Sequence, residues 1–255
     1  MPLIELRNVY KRFGKLVVLN HVNLGIEEGK SIVVLGASGS GKSVMLKHIV
    51  GLLKPDEGEV WYEGRRIDTL TERQMVPIRQ QFGFLFQQGA LFDSMTVEQN
   101  IAFPLTEHTQ KSKEEIAKIV GQKLAMVGLP EANKRMPAQL SGGQRKRIAL
   151  ARAIALDPKV IMYDEPTTGL DPVRSDVINE LILKLQRELK VTSIVVTHDM
   201  RSAFKVADRI VMLHQGNFIF DGTTEQIQSS PDPIIQRFVK GEAGEEELAS
   251  LDQSG

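Results

Sequence analysis

Eight residues set the tightest limit on what this chain can fold into: Gly36-Ala37-Ser38-Gly39-Ser40-Gly41-Lys42-Ser43, the pattern G-x-x-x-x-G-K-S. They follow Ser31-Ile32-Val33-Val34-Leu35, a run apolar at successive rather than alternate positions, as in a strand buried on both faces. They lead into Gly41 to Val50, which carries helix formers and meets a stop at Gly51. Strand, glycine loop and helix open a βαβ unit, which commits the chain to a sheet with parallel strands. In that setting the glycines let backbone N–H groups turn inward around phosphate oxygens, and the helix N-terminus adds partial positive charge. Lys42 then reaches the β- and γ-phosphates, Ser43 offers its hydroxyl to Mg²⁺, and Val44 ends the stretch expected to touch nucleotide. A flexible turn that binds nothing is the bland alternative, and the strand and helix on either side argue against it.

The remaining pattern is α/β. Residues 3–7, 17–26, 58–62 and 82–86 are rich in Val, Ile and aromatics between glycines and prolines, and read as strands. Glu114 to Val127 places Ile116, Ile119, Val120, Leu124 and Val127 on one face of a helix, and Gly142 to Leu156 is a second, Ala- and Arg-rich helix. Strands return at Val160 to Tyr163, Ser193 to Thr197 and Arg209 to Leu213, with a helix from Pro172 to Leu189 between the first two. Asn217 to Asp221 reads as a last strand, and Glu225 to Ser229 and Asp232 to Val239 as short helices. The expected organisation is a core of residues 1–87 and 154–224, a helical insertion at 88–153, terminal helices at 225–240 and an acidic tail at 241–255. The tail alone reads as a solvated terminus.

Composition removes several function classes. Lys plus Arg and Asp plus Glu are 32 each, so no net basic charge points to nucleic acid as a partner. With no Cys there are neither disulfides nor thiolate metal sites. The apolar runs fall well short of the roughly 20 residues that span a bilayer, and Met1-Pro2-Leu3-Ile4-Glu5-Leu6 has no signal-peptide pattern. Any membrane role is therefore expected to run through a partner.

Three further features complete a nucleotide site. Val160-Ile161-Met162-Tyr163-Asp164-Glu165 is an apolar strand ending in two carboxylates. Asp164 is suited to hold Mg²⁺ through a water, and Glu165, pointing elsewhere, to polarise the attacking water as general base. An acidic pair after a strand is more often a cap or a solvated turn, but the phosphate loop changes that balance. His198 follows the strand Ser193 to Thr197 and belongs at the same carboxyl edge of the sheet, where ligands bind. Up to this point a phosphate-loop kinase or GTPase fits as well. Leu140-Ser141-Gly142-Gly143-Gln144 separates them: it opens a helix, giving a second anion-binding N-terminus. Two chains head to tail have a use for it, each capping the γ-phosphate held by the other.

At this motif and its companions the sequence resembles the ABC ATPase family, over about residues 3 to 225 and in the family's order. Phe13, in Lys11-Arg12-Phe13-Gly14, matches the aromatic that stacks on adenine, with Tyr10 as its competitor and plain packing as the alternative. Gln87, in Leu85-Phe86-Gln87-Gln88, matches the Gln that contacts Mg²⁺ and links core to helical insertion. Asp171, in Gly169-Leu170-Asp171-Pro172, matches the cross-dimer aspartate loop. The resemblance implies a P-loop NTPase (RecA-like) core with an N-terminal antiparallel β subdomain and a helical subdomain. It also implies ATP and Mg²⁺ as cofactors, with catalysis by Glu165, His198, Lys42 and Gln87. A homodimer would sandwich two ATP, and a separate permease would dock near Gln88 to Val97.

Gly89 to Val97, Ala102 to His108 and Ser230 to Val239 resemble the ATPases of Mla/Mce phospholipid-trafficking systems, whereas Gln144-Arg145-Lys146-Arg147 reads as in generic ABC importers. The first resemblance implies lipid cargo and a position on the cytoplasmic face of the inner membrane. It also implies an Mce-domain lipid-binding partner and a small accessory subunit, with Gly241 to Leu251 clasping a neighbour. The rival cargo is an amino acid or another polar solute. A DNA-repair type would need a coiled-coil insertion before residue 140, and a translation-factor type a duplicated motif set.

Overall fold

The computed structural model describes residues 1–242. Its centre is a six-stranded sheet made of β3 (Ser31–Leu35), β6 (Phe82–Leu85), β7 (Val160–Asp164), β8 (Thr192–Thr197), β9 (Arg209–His214) and β10 (Asn217–Gly222). The spatial order is β10-β9-β3-β8-β7-β6. The five strands from β9 to β6 run parallel, and β10 returns antiparallel to β9. Every residue of β3 and β8 is buried, and alternate residues serve opposite faces. Val33, Leu35, Ile161, Tyr163 and Val195 join one core, whereas Ile32, Val34, Val160, Met162, Ile194 and Val196 join the other. That two-faced burial is why these strands read as unbroken apolar runs.

The second core is closed by a four-stranded antiparallel sheet: β1 (Ile4–Phe13), β2 (Leu16–Ile26), β4 (Glu57–Tyr62) and β5 (Arg65–Arg66). Packed with it is α1 (Lys42–Ile49), whose Met45, Leu46 and Ile49 are fully buried. The first core takes α3 (Val97–His108), α4 (Lys113–Met126), α5 (Gly142–Ala153), α6 (Pro172–Leu189), α7 (Met200–Val206), α8 (Thr224–Gln228) and α9 (Pro233–Lys240).

The helix from Pro172 to Leu189 has the expected limits, and Ile178, Leu181, Ile182 and Leu185 form its buried stripe. Its last expected member, Leu189, is only partly buried. The Ala- and Arg-rich helix α5 stops at Ala153, three residues before the expected Leu156. Two helices lie where the sequence pattern is ambiguous: α2 (Glu72–Arg79) and α3. Each holds an internal proline, Pro77 and Pro104, and each is started by a reciprocal capping box, Thr71 with Gln74 and Thr96 with Gln99. The boxes satisfy the orphan N–H groups that would otherwise weaken so short a helix. Of the acidic tail, only Gly241 and Glu242 fall within the described residues.

Candidate nucleotide site

Three strand ends meet at one edge of the parallel sheet. β3 runs into the Gly36–Ser43 loop, β7 ends at Asp164, and β8 ends at Thr197 beside His198. Two glycines of the loop are dictated by its neighbours. A Cβ on Gly36 would lie 2.5 Å from the Leu213 carbonyl oxygen and 2.6 Å from Ser40 Oγ. Gly41 has φ 103° and would press a Cβ to 2.8 Å from the Val18 carbonyl oxygen, so β2 itself backs the loop. Ala37, Ser38, Gly39 and Ser40 form the turn between these two points, and Val44 lies in the first turn of α1.

Lys42 is buried and folded back onto the loop, donating to the carbonyls of Gly36 (2.7 Å) and Ala37 (2.9 Å). Burial lowers its pKa, and the negative charges of Glu165 and Asp164 oppose that shift. Ser43 Oγ donates toward both Asp164 carboxylate oxygens, at 3.2 and 3.3 Å. Burial raises the Asp164 pKa; the Ser43 hydrogen bond pulls it down and the Glu165 charge pushes it further up. A half-buried carboxylate beside a hydroxyl is poised to gain from an arriving cation. Among the described residues no cluster of three or more His, Cys, Asp or Glu side chains forms a metal cage. The donors at hand suit a small, strongly hydrated divalent ion carried in on phosphates.

Glu165 turns sharply away from the strand. Its φ is 51°, a left-handed conformation that costs about 1–3 kcal/mol for a residue with a side chain. Its N–H is nevertheless satisfied by the Val196 carbonyl at 2.9 Å. The turn separates its carboxylate from that of Asp164 and aims it at β8. There Oε1 meets His198 Nδ1 at 3.0 Å, while Oε2 accepts from Thr168 Oγ1 at 3.1 Å and Thr197 Oγ1 at 3.4 Å. The carboxylate is thus held by three side chains, and His198 is half exposed on its outer side.

Phe13 sits at the end of β1 and is 48% exposed, whereas the Tyr10 ring is already stacked on His21 with centroids 4.9 Å apart. The Phe13 ring has the Lys11 ammonium 5.5 Å from its centroid but no aromatic stacked on it. Gln87 is exposed two residues beyond β6, the strand paired with β7 through Leu85 and Tyr163.

The Ser141 turn forms a separate group. Ser141 is the N-cap of α5: Oγ accepts from the Gln144 N–H at 3.3 Å, and the Gln144 side chain accepts from the Ser141 N–H at 3.0 Å. Gly142 and Gly143 leave this helix start bare of side chains and lie against Leu170 and Arg174. Asp171 caps α6 by accepting from the Arg174 N–H at 2.9 Å. The structure therefore brings Ser141–Gln144 next to the Asp171 loop.

Sequence reasoning missed the side chains that hold the Glu165 loop in place. Thr167, Asn179, Asp199 and Ser202 form a buried network in which the Ser202 hydroxyl donates to Asp199 Oδ2 and Asn179 Nδ2 donates to Ser202 Oγ. Lys146, 6% exposed, reaches the same loop from α5. A Thr-Thr pair after Glu165 was the only signal for the first. An Arg-Lys-Arg run hid the second, since such runs usually face water.

A phosphate loop, an aspartate bonded to the loop's serine and a histidine-held glutamate at one sheet edge define a P-loop ATPase site. The ABC transporter family matches residues 19–168. The chain is 43% identical to the intermembrane phospholipid transport system ATP-binding protein MlaF of Haemophilus influenzae, over 94% of this chain and 91% of that one. It is 42% identical to the probable ribonucleotide transport ATP-binding protein mkl of Mycobacterium leprae, over 94% and 70%. The dimeric, post-hydrolysis structure of the ATP-binding cassette MJ0796 bound to ADP and Pi matches with TM-score 0.79 and 38% identity, over 86% of this chain and 98% of that one. The chain belongs to the ABC transporter family, as its ATP-hydrolysing subunit.

Proposed function

We propose that this chain energises phospholipid movement by a membrane ABC transporter, working as a head-to-tail homodimer on the cytoplasmic face of the inner membrane. The observation that carries the catalytic part is the convergence of Lys42, Ser43, Asp164, Glu165 and His198 on one sheet edge. ATP lies with its phosphates in the Gly36–Ser43 loop and its adenine on Phe13. Lys42 leaves the loop carbonyls for the β- and γ-phosphates. Ser43, Asp164 and Gln87 would hold Mg²⁺, which when bound would supply charge neutralisation across those phosphates. Glu165 takes the proton of the attacking water, and His198, bonded to that carboxylate, orients it and reads the γ-phosphate. Ser141, Gly142, Gly143, Gln144 and Asp171 close the site of the opposite protomer in this reading; the MJ0796 relative is likewise dimeric.

The partner site is an aromatic groove where β6, the segment after Gln87 and α3 meet. Phe86 (44%), Phe92 (41%) and Phe103 (37%) are exposed there, with Phe92 and Phe103 ring centroids 4.9 Å apart. A cytoplasmic helix of the permease fits this groove as an apolar face on an apolar groove. Among the described residues no helix is long and apolar enough to cross a membrane, and in this reading transport runs through a separate permease. Phospholipid as cargo rests on the MlaF relative together with the segments at 89–97, 102–108 and 230–239; an Mce-domain lipid-binding protein and a small accessory subunit belong to the same reading. The mkl relative's name points instead to ribonucleotides. Affinity purification from membranes, followed by mass spectrometry of proteins and lipids, separates the two. Co-purification of a permease, an Mce-domain protein and glycerophospholipid is expected; a soluble solute receptor with no bound lipid would overturn the cargo.

A further inference from the structure

The four cationic residues of α5 include one whose position is hard to explain as surface charge. Lys146 is 6% exposed, and its three donors go to backbone carbonyls rather than to a carboxylate: Pro166 at 2.7 Å, Thr168 at 2.7 Å and Glu165 at 3.4 Å. The carbonyls of Pro166 and Thr168 receive no backbone N–H among the described residues. Lys146 is therefore what satisfies them. All three belong to the loop that carries the Glu165 carboxylate, and Thr167, between them, is bonded into the Asp199–Ser202 network on the other side. The loop is gripped from two directions, and α5 is one of the two grips.

The other end of the same turn of helix matters as much. Ser141 and Gln144 cap α5 one turn before Lys146. In a head-to-tail dimer this cap lies on the nucleotide of the opposite protomer, while Glu165 serves the chain's own. We infer that Lys146 is a positioning residue that ties these two half-sites together, so that γ-phosphate contact at the Ser141 turn of one site sets the Glu165 loop of the other. This rests on the head-to-tail reading. A single turn of α-helix is stiff, so a shift at Ser141 moves Lys146 with it, and three hydrogen bonds from one ammonium pass that shift to the loop. Burial weakens the ammonium's hold on its proton, bringing its pKa to about 8, as expected for a cation paired only with carbonyl dipoles.

The test compares Lys146→Met, which keeps length and loses every donor, with Lys146→Arg, which keeps charge and donors. ATP hydrolysis is measured against ATP concentration on the purified full chain. Lys146→Met should lower kcat by about tenfold to a hundredfold, the loss expected for hydrogen bonds to a charged group, with KM within twofold and the Hill coefficient reduced toward one. Lys146→Arg should recover at least half of the lost kcat. Hydrogen exchange on the free protein should show loss of protection in residues 165–171 for Lys146→Met, a readout available even where turnover is poor. A Lys146→Met protein with normal kcat, Hill coefficient and loop protection would overturn the inference. Failure of the head-to-tail reading is seen separately: wild type would then hydrolyse ATP with a Hill coefficient of one, and Glu165→Gln would stay monomeric with ATP.

Discussion

The two anion-binding helix starts of this chain differ in what they lack. The start of α1 is surrounded by its own chain: Gly36 and Gly41 are wedged against carbonyls of β9 and β2, Lys42 is buried, and Asp164, Glu165 and His198 stand at the neighbouring strand ends. The start of α5 is closed by its own cap and by the Asp171 loop. Ser141 and Gln144 bond to one another, Ser141 is exposed, and the two glycines beside it carry no side chain to bar an incoming group. In the proposed head-to-tail dimer the first region would hold the triphosphate and the second would close on the far side of its γ-phosphate. A second copy of the chain would then supply each with the other.

Substitutions that cripple one region and spare the other break this comparison most sharply. Glu165→Gln removes the base and should lower kcat by about a hundredfold or more, with ATP binding retained; single-turnover hydrolysis beside equilibrium binding reads both. Ser141→Arg should lower steady-state turnover about as far by obstructing the opposite site, yet leave ATP binding to the monomer within about twofold, which filter binding at low protein concentration checks. Gly36→Ala should cost about 1–3 kcal/mol of stability through the clash with Leu213 and weaken nucleotide binding, seen together as a lower Tm and a smaller ATP-induced shift. Phe13→Leu should raise the ATP dissociation constant about tenfold, the order of one stacked base. Tyr10→Leu should change it by less than twofold, because that ring already stacks on His21.

The same contrast explains what could be read before any coordinates. β3, β7 and β8 are buried on both faces, so each carries an unbroken apolar run of three or four residues, and the loops at their ends are fixed with them. Gly36–Ser43, Asp164, Glu165 and His198 were legible for that reason. The Ser141 turn was legible because a serine, two glycines and a glutamine are what a bare, self-capped helix start requires. α2 and α3 were not, because Pro77 and Pro104 interrupt the helical pattern where it would have been counted. Lys146 was illegible for a deeper reason. Its environment is made by carbonyls 19 to 22 residues further along the chain, and a backbone acceptor leaves no mark in the sequence. The left-handed turn at Glu165 is similar: a glutamate is an unfavourable choice there, and its carboxylate is held in place by Thr168, Thr197 and His198.

The most direct test of the central claim, that neither site is complete in one chain, is the solution mass of Glu165→Gln by light scattering with saturating ATP. Head-to-tail closure predicts a particle of twice 28.4 kDa that returns to monomer when Ser141→Arg is added. A particle that stays at 28.4 kDa with ATP bound, or a dimer indifferent to Ser141→Arg, would contradict it.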